Sequence, residues 1–514
     1  MPASLCYTND SKTDPVLKES KHKELRIMRK KLWIFVLSIV LATSNLFLLS
    51  ACGNRGNQDG TDTLLVDMHS YMPTKNTTPT PESPVVVQAS RVIAEAYQER
   101  TGVTIKWADS KPTNGSTTEV SEWFTNQISG NRCPAIGFSW GTRFQERDYY
   151  VDLTPYLEQP NPYVPGNTRW ADLFEDYLWD CYEISDASGR VVAIPITLNP
   201  GSASGIYYNK DLFDQLGLSI PKTWKEYESV FNSLTVQYPL TPWTNFKSVG
   251  LDQWVFEYSL SPAYAKKIKS QVDTDGDGVV SGVEELSAVK NNLYNPLRSS
   301  AAADLYYRAK EYYQDWLPTG WTTTDYTDRW NSGVVGMQEN GLWNFQTESN
   351  NTKRNFDFGV FAAPILDNTT TDFAAEMERV SIEECKPTPS LMLNVMKPAV
   401  EGNPELLEQA VDFLMWLTVP DNISTIVTEH GGSIGAVKGT ASSPLLSDWL
   451  AQDFPVLSDC RWPLGFTTQY TSEINRKFAE WVADSITDDE FFTALNNAQQ
   501  NGASDVARAL GIAL

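Results

Sequence analysis

The alternation of strand-like and helix-like segments between residues 63 and 107 constrains the fold of this 514-residue chain more than any other feature. Residues 63–68 are typical of a strand. Residues 87–100 carry apolar side chains at helical spacing and are followed by Gly102, and residues 103–107 are typical of a second strand. A helix that joins two strands through short connections predicts a parallel pair in an α/β sheet.

The pattern begins again after residues 199–201, which are Asn, Pro and Gly. Residues 204–213 predict a strand followed by a helix, and Thr223 with Glu226 forms a capping box that predicts a helix to Leu234. Later, Asn403 and Pro404 predict another helix start. The chain is therefore expected to be α/β first and rich in helices towards its end.

The charge of the chain excludes several classes of function. Its 64 Asp and Glu residues against 41 Lys and Arg give a formal net charge of −23. Phosphate-rich partners attract a positive surface, so the folded body is not expected to bind nucleic acid or anionic lipid. Only three His occur, which leaves little room for His-based zinc or catalytic chemistry.

The segment from Met28 to Cys52 indicates export. Residues 29–31 are basic, and an apolar run over 32–49 ends in Leu-Ser-Ala-Cys-Gly, which predicts a signal peptide. The ending resembles the bacterial lipobox, which implies Cys52 as a lipid-modified N-terminus on the extracellular face of the membrane. An uncleaved membrane anchor is the alternative, and a start at Met1 or at Met28 stays open. Residues 52–63 are polar and predict a flexible tether.

Four cysteines follow the lipobox: Cys133, Cys181, Cys385 and Cys460. An even set outside the cytoplasm permits disulfides. We expect Cys133 to pair with Cys181 and Cys385 with Cys460, with free buried thiols as the alternative.

Several motifs occur in the order typical of one protein family. They are residues 152–157 (Asp-Leu-Thr-Pro-Tyr-Leu), 204–213 (Ser-Gly-Ile-Tyr-Tyr-Asn-Lys-Asp-Leu-Phe), 340–343 (Asn-Gly-Leu-Trp), 358–364 and 432–435. Together they resemble the sugar-binding lipoproteins of ATP-binding-cassette (ABC) importers, of the maltose-binding type. The resemblance implies an α/β, two-lobe fold of the periplasmic-binding-protein type, with a hinge and an interlobe cleft that closes on sugar. The implied segments are a leader (1–51), a first lobe (64–197 and 366–418) and a second lobe (198–365 and 419–514).

Aromatic and hydrogen-bonding residues supply the chemistry that a sugar needs. A pyranose packs its C–H faces on indole or phenol rings, and its hydroxyls bond to planar polar groups. The resemblance implies these ligand residues: Trp343, Trp140, Trp254, Arg143, Gln253, Tyr470, Tyr71 and Glu339. The sequence departs from the maltose-binding pattern at Gly141 and Thr142, where an acid is common, so we expect a different sugar. The 17 Trp residues favour an oligosaccharide.

Residues 273–284 match the template of an EF-hand calcium loop. Oxygen donors occupy positions 1, 3, 5, 7, 9 and 12, of which position 7 offers its backbone carbonyl: Asp273, Asp275, Asp277, Val279, Ser281 and Glu284. Gly278 stands at position 6, where the loop turns sharply. We expect a structural Ca²⁺ in the second lobe; a solvated acidic loop is the alternative.

Enzymatic alternatives have weaker support. Residues 431–435 satisfy the Gly-x-Ser-x-Gly pattern of hydrolases, but no His follows Ser433 as that fold requires. A secreted glycoside hydrolase and a sensory or adhesive lipoprotein remain as alternatives. The sequence predicts a non-enzymatic, monomeric, lipid-anchored protein that delivers carbohydrate to ABC permease subunits.

Overall fold

The computed structural model describes residues 62–80, 85–108, 111, 117–234, 240–242, 249–315, 323–455 and 461–514. The predicted leader, Cys52, nearly all of the tether and Cys460 lie outside these ranges. Within them, no helix combines the length and the apolar character needed to cross a membrane.

The structure contains helices and strands throughout the described ranges. The strands are β1 (Thr63–Val66), β2 (Thr104–Trp107), β3 (Ile136–Gly137), β4 (Ile194–Pro195), β5 (Thr197–Asn199), β6 (Ser204–Asn209), β7 (Leu240–Pro242), β8 (Met337–Gly341), β9 (Phe358–Phe361), β10 (Arg379–Ser381), β11 (Thr388–Pro389), β12 (Met392–Val395), β13 (Ile434–Gly435) and β14 (Asp453–Pro455). The helices are α1 (Ala89–Thr101), α2 (Thr117–Ser129), α3 (Thr154–Leu157), α4 (Lys210–Leu216), α5 (Trp224–Leu234), α6 (Pro262–Val272), α7 (Gly282–Lys290), α8 (Ser300–Asp315), α9 (Thr323–Asn331), α10 (Phe345–Ser349), α11 (Lys397–Val400), α12 (Pro404–Leu417), α13 (Pro420–His430), α14 (Ser447–Leu450), α15 (Thr468–Val482) and α16 (Asp488–Leu510).

The first sheet has the strand order β2-β1-β3-β12-β4. β1 is parallel to both β2 and β3, which confirms the predicted strand–helix–strand unit. Helix α1 ends at Gly102, whose φ of 83° places it in the left-handed region that glycine adopts without steric cost. β12 returns from the distant part of the chain and pairs antiparallel with β3 and β4.

The second sheet has the order β7-β8-β6-β9, and a small sheet of β11, β5 and β13 lies along the connections between the lobes. The predicted helix starts are confirmed. Thr223 Oγ1 accepts from the Glu226 N–H at 3.2 Å, and Glu226 Oε2 accepts from the Thr223 N–H at 3.1 Å. The Asn403 side chain accepts from the backbone N–H of Leu406.

Two large apolar cores define the lobes, and their membership moves the predicted boundaries. Ile423 and Val427 of α13 lie in the first core, although residues 419–514 were assigned to the second lobe. Conversely, Leu366 lies in the second core. A long-range contact explains the first difference: the carboxylate of Glu429, on α13, accepts from the backbone N–H of Gln88 at 2.7 Å and so caps the start of α1.

The cysteines do not form the first predicted pair. Cys133 is a free thiol, so the expected disulfide with Cys181 is absent. The Cys133 Sγ donates weakly to the carbonyl of Pro134 at 3.5 Å, and Cys181 donates to the carbonyl of Tyr177 at 3.6 Å. Cys385 is also a free thiol, and its predicted partner lies outside the described residues.

Candidate functional site

In the first lobe, Trp140 follows the carboxyl end of β3, the sheet edge where ligands are expected. Its φ is +55°, and that of Gly141 is +67°. A side chain at Gly141 would overlap the carbonyl of Glu183, so the turn can only be made with glycine at that position. A tryptophan in the left-handed region is strained, and such strain concentrates at functional sites. The guanidinium of Arg143 lies 5.0 Å from the centre of the Trp140 ring.

A buried ion pair supports Trp140 from the interior. Lys111 Nζ lies 2.6 Å from Asp67 Oδ2, and neither side chain is exposed to solvent. The same ammonium group lies 5.6 Å from the centre of the Trp140 ring. The pair therefore lies close to the indole, which is itself half-buried.

In the second lobe, Trp343 and Trp254 form an edge-to-face pair whose ring centres are 5.4 Å apart. Both side chains are half-buried. Trp343 follows β8, and its indole occupies the space that a side chain at Gly341 would need. Gly432, next to the hinge strand β13, packs so closely on Leu342 that a Cβ there would also collide. The backbone thus positions the Trp343 ring beside the hinge.

The lobes touch through Tyr182 of the first lobe. Its hydroxyl donates to Glu257 Oε1 at 3.4 Å, and the guanidinium of Arg461 lies 3.7 Å from the centre of its ring. Arg461 in turn donates two hydrogen bonds to the carboxylate of Glu285, at 2.8 and 2.9 Å. Tyr182 is nevertheless 37% exposed, and part of Glu257 is exposed as well. Water therefore reaches the space between the lobes, which we call the interlobe cleft.

Carboxyl groups in and beside the interlobe cleft have raised pKa values. Desolvation raises the pKa of Glu183 to about 7, although Arg461 partly opposes the rise. Desolvation also raises the pKa of Asp252 and of Glu257, and the charge of Arg143 partly offsets both shifts. Burial raises the pKa of Glu339 on β8 to about 7, although Ser204 Oγ donates to it at 3.3 Å.

The structure brings together most of the predicted ligand residues, but not all. Arg143 of the first lobe lies close enough for its charge to lower the pKa values of Asp252 and Glu257. These two acids flank the predicted pair Gln253 and Trp254. Gln253 donates to Asp252 Oδ1 at 2.8 Å, and Glu339 is buried within the second lobe. These predictions of ligand contact stay predictions.

Tyr71 and Tyr470 lie in other surroundings. Tyr71 is only 6% exposed; its ring stacks on His430 at 4.1 Å, and its hydroxyl is 3.2 Å from Ser433 Oγ. Tyr71 thus belongs to the packing beside the hinge. The Tyr470 hydroxyl donates to Asp505 at 3.1 Å, between α15 and α16.

Sequence reasoning missed several residues of the cleft: Tyr182, Glu183, Asp252, Glu257 and Arg461. Asp252 and Glu257 could have been found, because they lie next to Gln253 and Trp254. Tyr182 and Glu183 lie in an irregular segment without a periodic pattern, so no local signal identified them.

The loop over residues 273–284 has donors arranged for a hard cation. Carboxylate oxygens of Asp273, Asp275 and Asp277 lie within 4.8 Å of one another. Glu284 accepts from the Ser281 N–H at 3.0 Å. Burial opposes ionisation of Glu284, but hydrogen bonds from Ser281 and Thr274 outweigh it and lower its pKa to about 2. An all-oxygen donor set of clustered carboxylates fits Ca²⁺.

The chain resembles known proteins in sequence and in structure. Residues 83–423 match the family model described as bacterial extracellular solute-binding protein, which is more than half of the chain. A multiple sugar-binding protein from Streptococcus mutans is 35% identical over 65 residues, a match that spans 13% of this chain and 14% of that protein.

Solved structures share the fold. Apo RafE from Streptococcus pneumoniae is 18% identical with a TM-score of 0.51, over 87% of this chain and 100% of that one. A family 1 extracellular solute-binding protein from Bifidobacterium longum subsp. infantis is 12% identical with a TM-score of 0.53, over 85% and 99%. A chitin oligosaccharide binding protein is 15% identical with a TM-score of 0.53, over 81% and 95%. These likenesses confirm the predicted α/β, two-lobe architecture.

Proposed function

The chain belongs to the bacterial extracellular solute-binding proteins, and from this membership we propose that it captures an oligosaccharide in the interlobe cleft. The family consists of binding proteins rather than enzymes, as the sequence predicted. Among the structurally similar proteins, RafE has been solved in complex with raffinose, and another is described as binding chitin oligosaccharides.

The observation that carries this proposal is the supply of half-buried indoles from both lobes beside hydrogen-bonding groups. Trp140 comes from the first lobe, and Trp254 with Trp343 from the second. Sugar rings stack on such faces through their C–H groups, while Arg143 and Glu257 can donate to and accept from hydroxyls. Indoles on both lobes suit several sugar units better than one.

A ligand between the lobes would also act on their separation. A sugar that contacts Trp140 and Trp343 together gains contacts in the closed arrangement that it lacks in an open one, so binding favours closure. The lobes can close without ligand through the contacts of Tyr182 with Glu257 and Arg461. A ligand that binds the closed form more tightly by several kcal/mol would shift nearly all molecules to that form.

We further propose that the protein is a monomer held to the extracellular face of the bacterial membrane through lipid on Cys52, where it delivers sugar to ABC permease subunits. The lipobox-like ending at residues 49–53 and the tether after it support this arrangement. Cleavage and acylation can be checked by mass spectrometry of the membrane fraction, with Cys52→Ala as the control that should leave the body unanchored.

For residues 273–284 we propose a structural Ca²⁺. The side chains of Asp273, Asp275, Asp277, Ser281 and Glu284 and the carbonyl of Val279 would hold it. The ion would offset the repulsion between the three clustered carboxylates. Its role is to fix the connection between α6 and α7, not to take part in chemistry.

Calorimetric titration of the folded chain with a library of neutral oligosaccharides tests the main proposal. We expect binding by at least one member and a loss of roughly tenfold or more in Trp343→Ala. Trp416→Ala is the matched control, because Trp416 is also half-buried but donates to the carbonyl of Ile93 in the first lobe. A folded chain that binds no saccharide would refute the proposal.

A further inference from the structure

The interlobe cleft holds an excess of acidic groups among the described residues. Glu183 comes from the first lobe, and Asp252 and Glu257 come from the second. Glu339 lies near enough to Tyr258 for its charge to raise the pKa of that residue. The cations that oppose them are Arg143 and Arg461. The acids therefore outnumber the cations in the region where a ligand would bind.

One of these two cations is already matched. Arg461 donates two hydrogen bonds, at 2.8 and 2.9 Å, to Glu285, a residue that is 5% exposed. Its planar face is covered by Tyr182. A bidentate pair of this kind occupies the fork that would otherwise receive a carboxylate from a ligand.

The other cation faces two acids at once. Arg143 lies over Trp140 and opposes the raised pKa values of both Asp252 and Glu257. The charge of Arg461 acts on Glu183 as well and lowers its pKa. Glu183, Asp252 and Glu257 are therefore opposed by two arginines, of which Arg461 is already bonded to Glu285.

We infer that the saccharide taken by the interlobe cleft carries no acidic substituent, and that an amino-substituted saccharide binds at least as tightly as its neutral counterpart. This inference rests on the proposed saccharide-binding function. A carboxylate or sulfate on the sugar would be brought beside Glu183 and Glu257 with its hydration shell removed, and the repulsion grows as water is excluded. Sugar hydroxyls and ammonium groups instead donate to those carboxylates.

The test compares tetrasaccharides that differ only in charge. The α-1,4- and β-1,4-linked glucose series would each be titrated in a neutral, a C2-amino and a C6-carboxylate form, at low salt and pH 7.5. We expect the carboxylate form to bind at least about tenfold more weakly than the neutral form. In Glu183→Gln/Glu257→Gln this gap should narrow, whereas Glu311→Gln, an exposed acid on α8, should keep it.

The possible results separate the inference from the proposed function. If the carboxylate form binds as tightly as the neutral form, or more tightly, the inference is overturned while the proposed function stands. If neither series binds, the same three forms are built on the best neutral saccharide from the library screen and read in the same way. If that screen also finds no saccharide of any charge, the proposed function fails and the inference fails with it.

Discussion

Arg461 of the second lobe lies with its guanidinium 3.7 Å from the ring centre of Tyr182 of the first lobe. The same side chain holds Glu285, which directly follows Glu284 of the proposed calcium loop. One arginine thus connects the loop, the second lobe and the first lobe. Its planar, delocalised cation suits stacking and bidentate bonding together, which lysine cannot reproduce.

Arg461→Lys should therefore weaken closure. The variant keeps the charge but loses the stacked face and one of the two bonds to Glu285, so we expect faster saccharide dissociation, by roughly tenfold, with a small change in unfolding temperature. Stopped-flow kinetics measure the rate of saccharide dissociation. Arg476→Lys, which alters an exposed ion pair on α15, is the control, and equal dissociation rates in both variants would contradict the role of Arg461.

Gly341→Ala should displace the Trp343 indole. A Cβ at this position would overlap the ring, whereas at Gly336, just before the same strand, it would meet only Leu side-chain ends at 3.1–3.2 Å. We expect Gly341→Ala to lower saccharide affinity more than Gly336→Ala does. Titration calorimetry on both variants decides, and the prediction is wrong if the two lose affinity equally.

Glu339→Gln should stabilise the protein at neutral and alkaline pH. The pKa of Glu339 is raised from 4.5 to about 7 by burial. Between these values the folded chain keeps a proton that the unfolded chain has released, so this carboxyl makes stability fall as the pH rises. Each pKa unit corresponds to about 1.4 kcal/mol.

The thermal midpoint of Glu339→Gln should accordingly exceed that of the wild type at pH 8 and match it at pH 4. Gln keeps an oxygen to accept from Ser204. Glu311→Gln provides the control on α8, with the same loss of charge at an exposed position. A gain of similar size at both pH values would show that the effect is not one of protonation.

Lys111→Met should be strongly destabilising. It removes one member of an ion pair whose two side chains are fully buried, and it leaves the Asp67 carboxyl group buried without that partner. Breaking such a pair costs about 3 to 5 kcal/mol. Chemical denaturation measures the loss, and Lys438→Met, whose side chain is 46% exposed, should change stability little.

Removal of calcium should destabilise the second lobe. If the loop holds Ca²⁺, chelation lowers the unfolding temperature, and added Ca²⁺ restores it in proportion to the logarithm of its concentration. Asp275→Asn should reduce the response, while Asp315→Asn, an exposed acid at the end of α8, should not. An unfolding temperature that is indifferent to both chelator and Ca²⁺ would leave the acidic-loop alternative.

Local patterns predicted the elements whose causes are local. The strand–helix–strand unit, the capping box at Thr223 and the helix start at Asn403 depend on residues a few positions apart, and all three were confirmed. The lobe boundaries depend on long-range packing. Glu429 caps a helix start that is 341 residues away in sequence, and no periodicity in α13 discloses that contact.

The site was predicted unevenly for the same reason. Trp343 and Trp140 belong to motifs with a fixed position after a strand, so the sequence predicted their placement, while their contact with a ligand stays a prediction. Tyr182 reaches the second lobe from an irregular segment, and its role arises only when the two lobes meet. Tyr71 follows the first strand as predicted, but its ring packs against His430, and its contact with a ligand stays a prediction.

The left-handed backbone at Trp140 has a consequence for engineering. Asn or Gly would sit there with less strain, so directed evolution that rewards heat resistance alone should drift towards these residues. Such variants would withstand higher temperatures and yet lose an indole from the cleft. A screen that also rewards retention on an immobilised glycan would be needed to keep it.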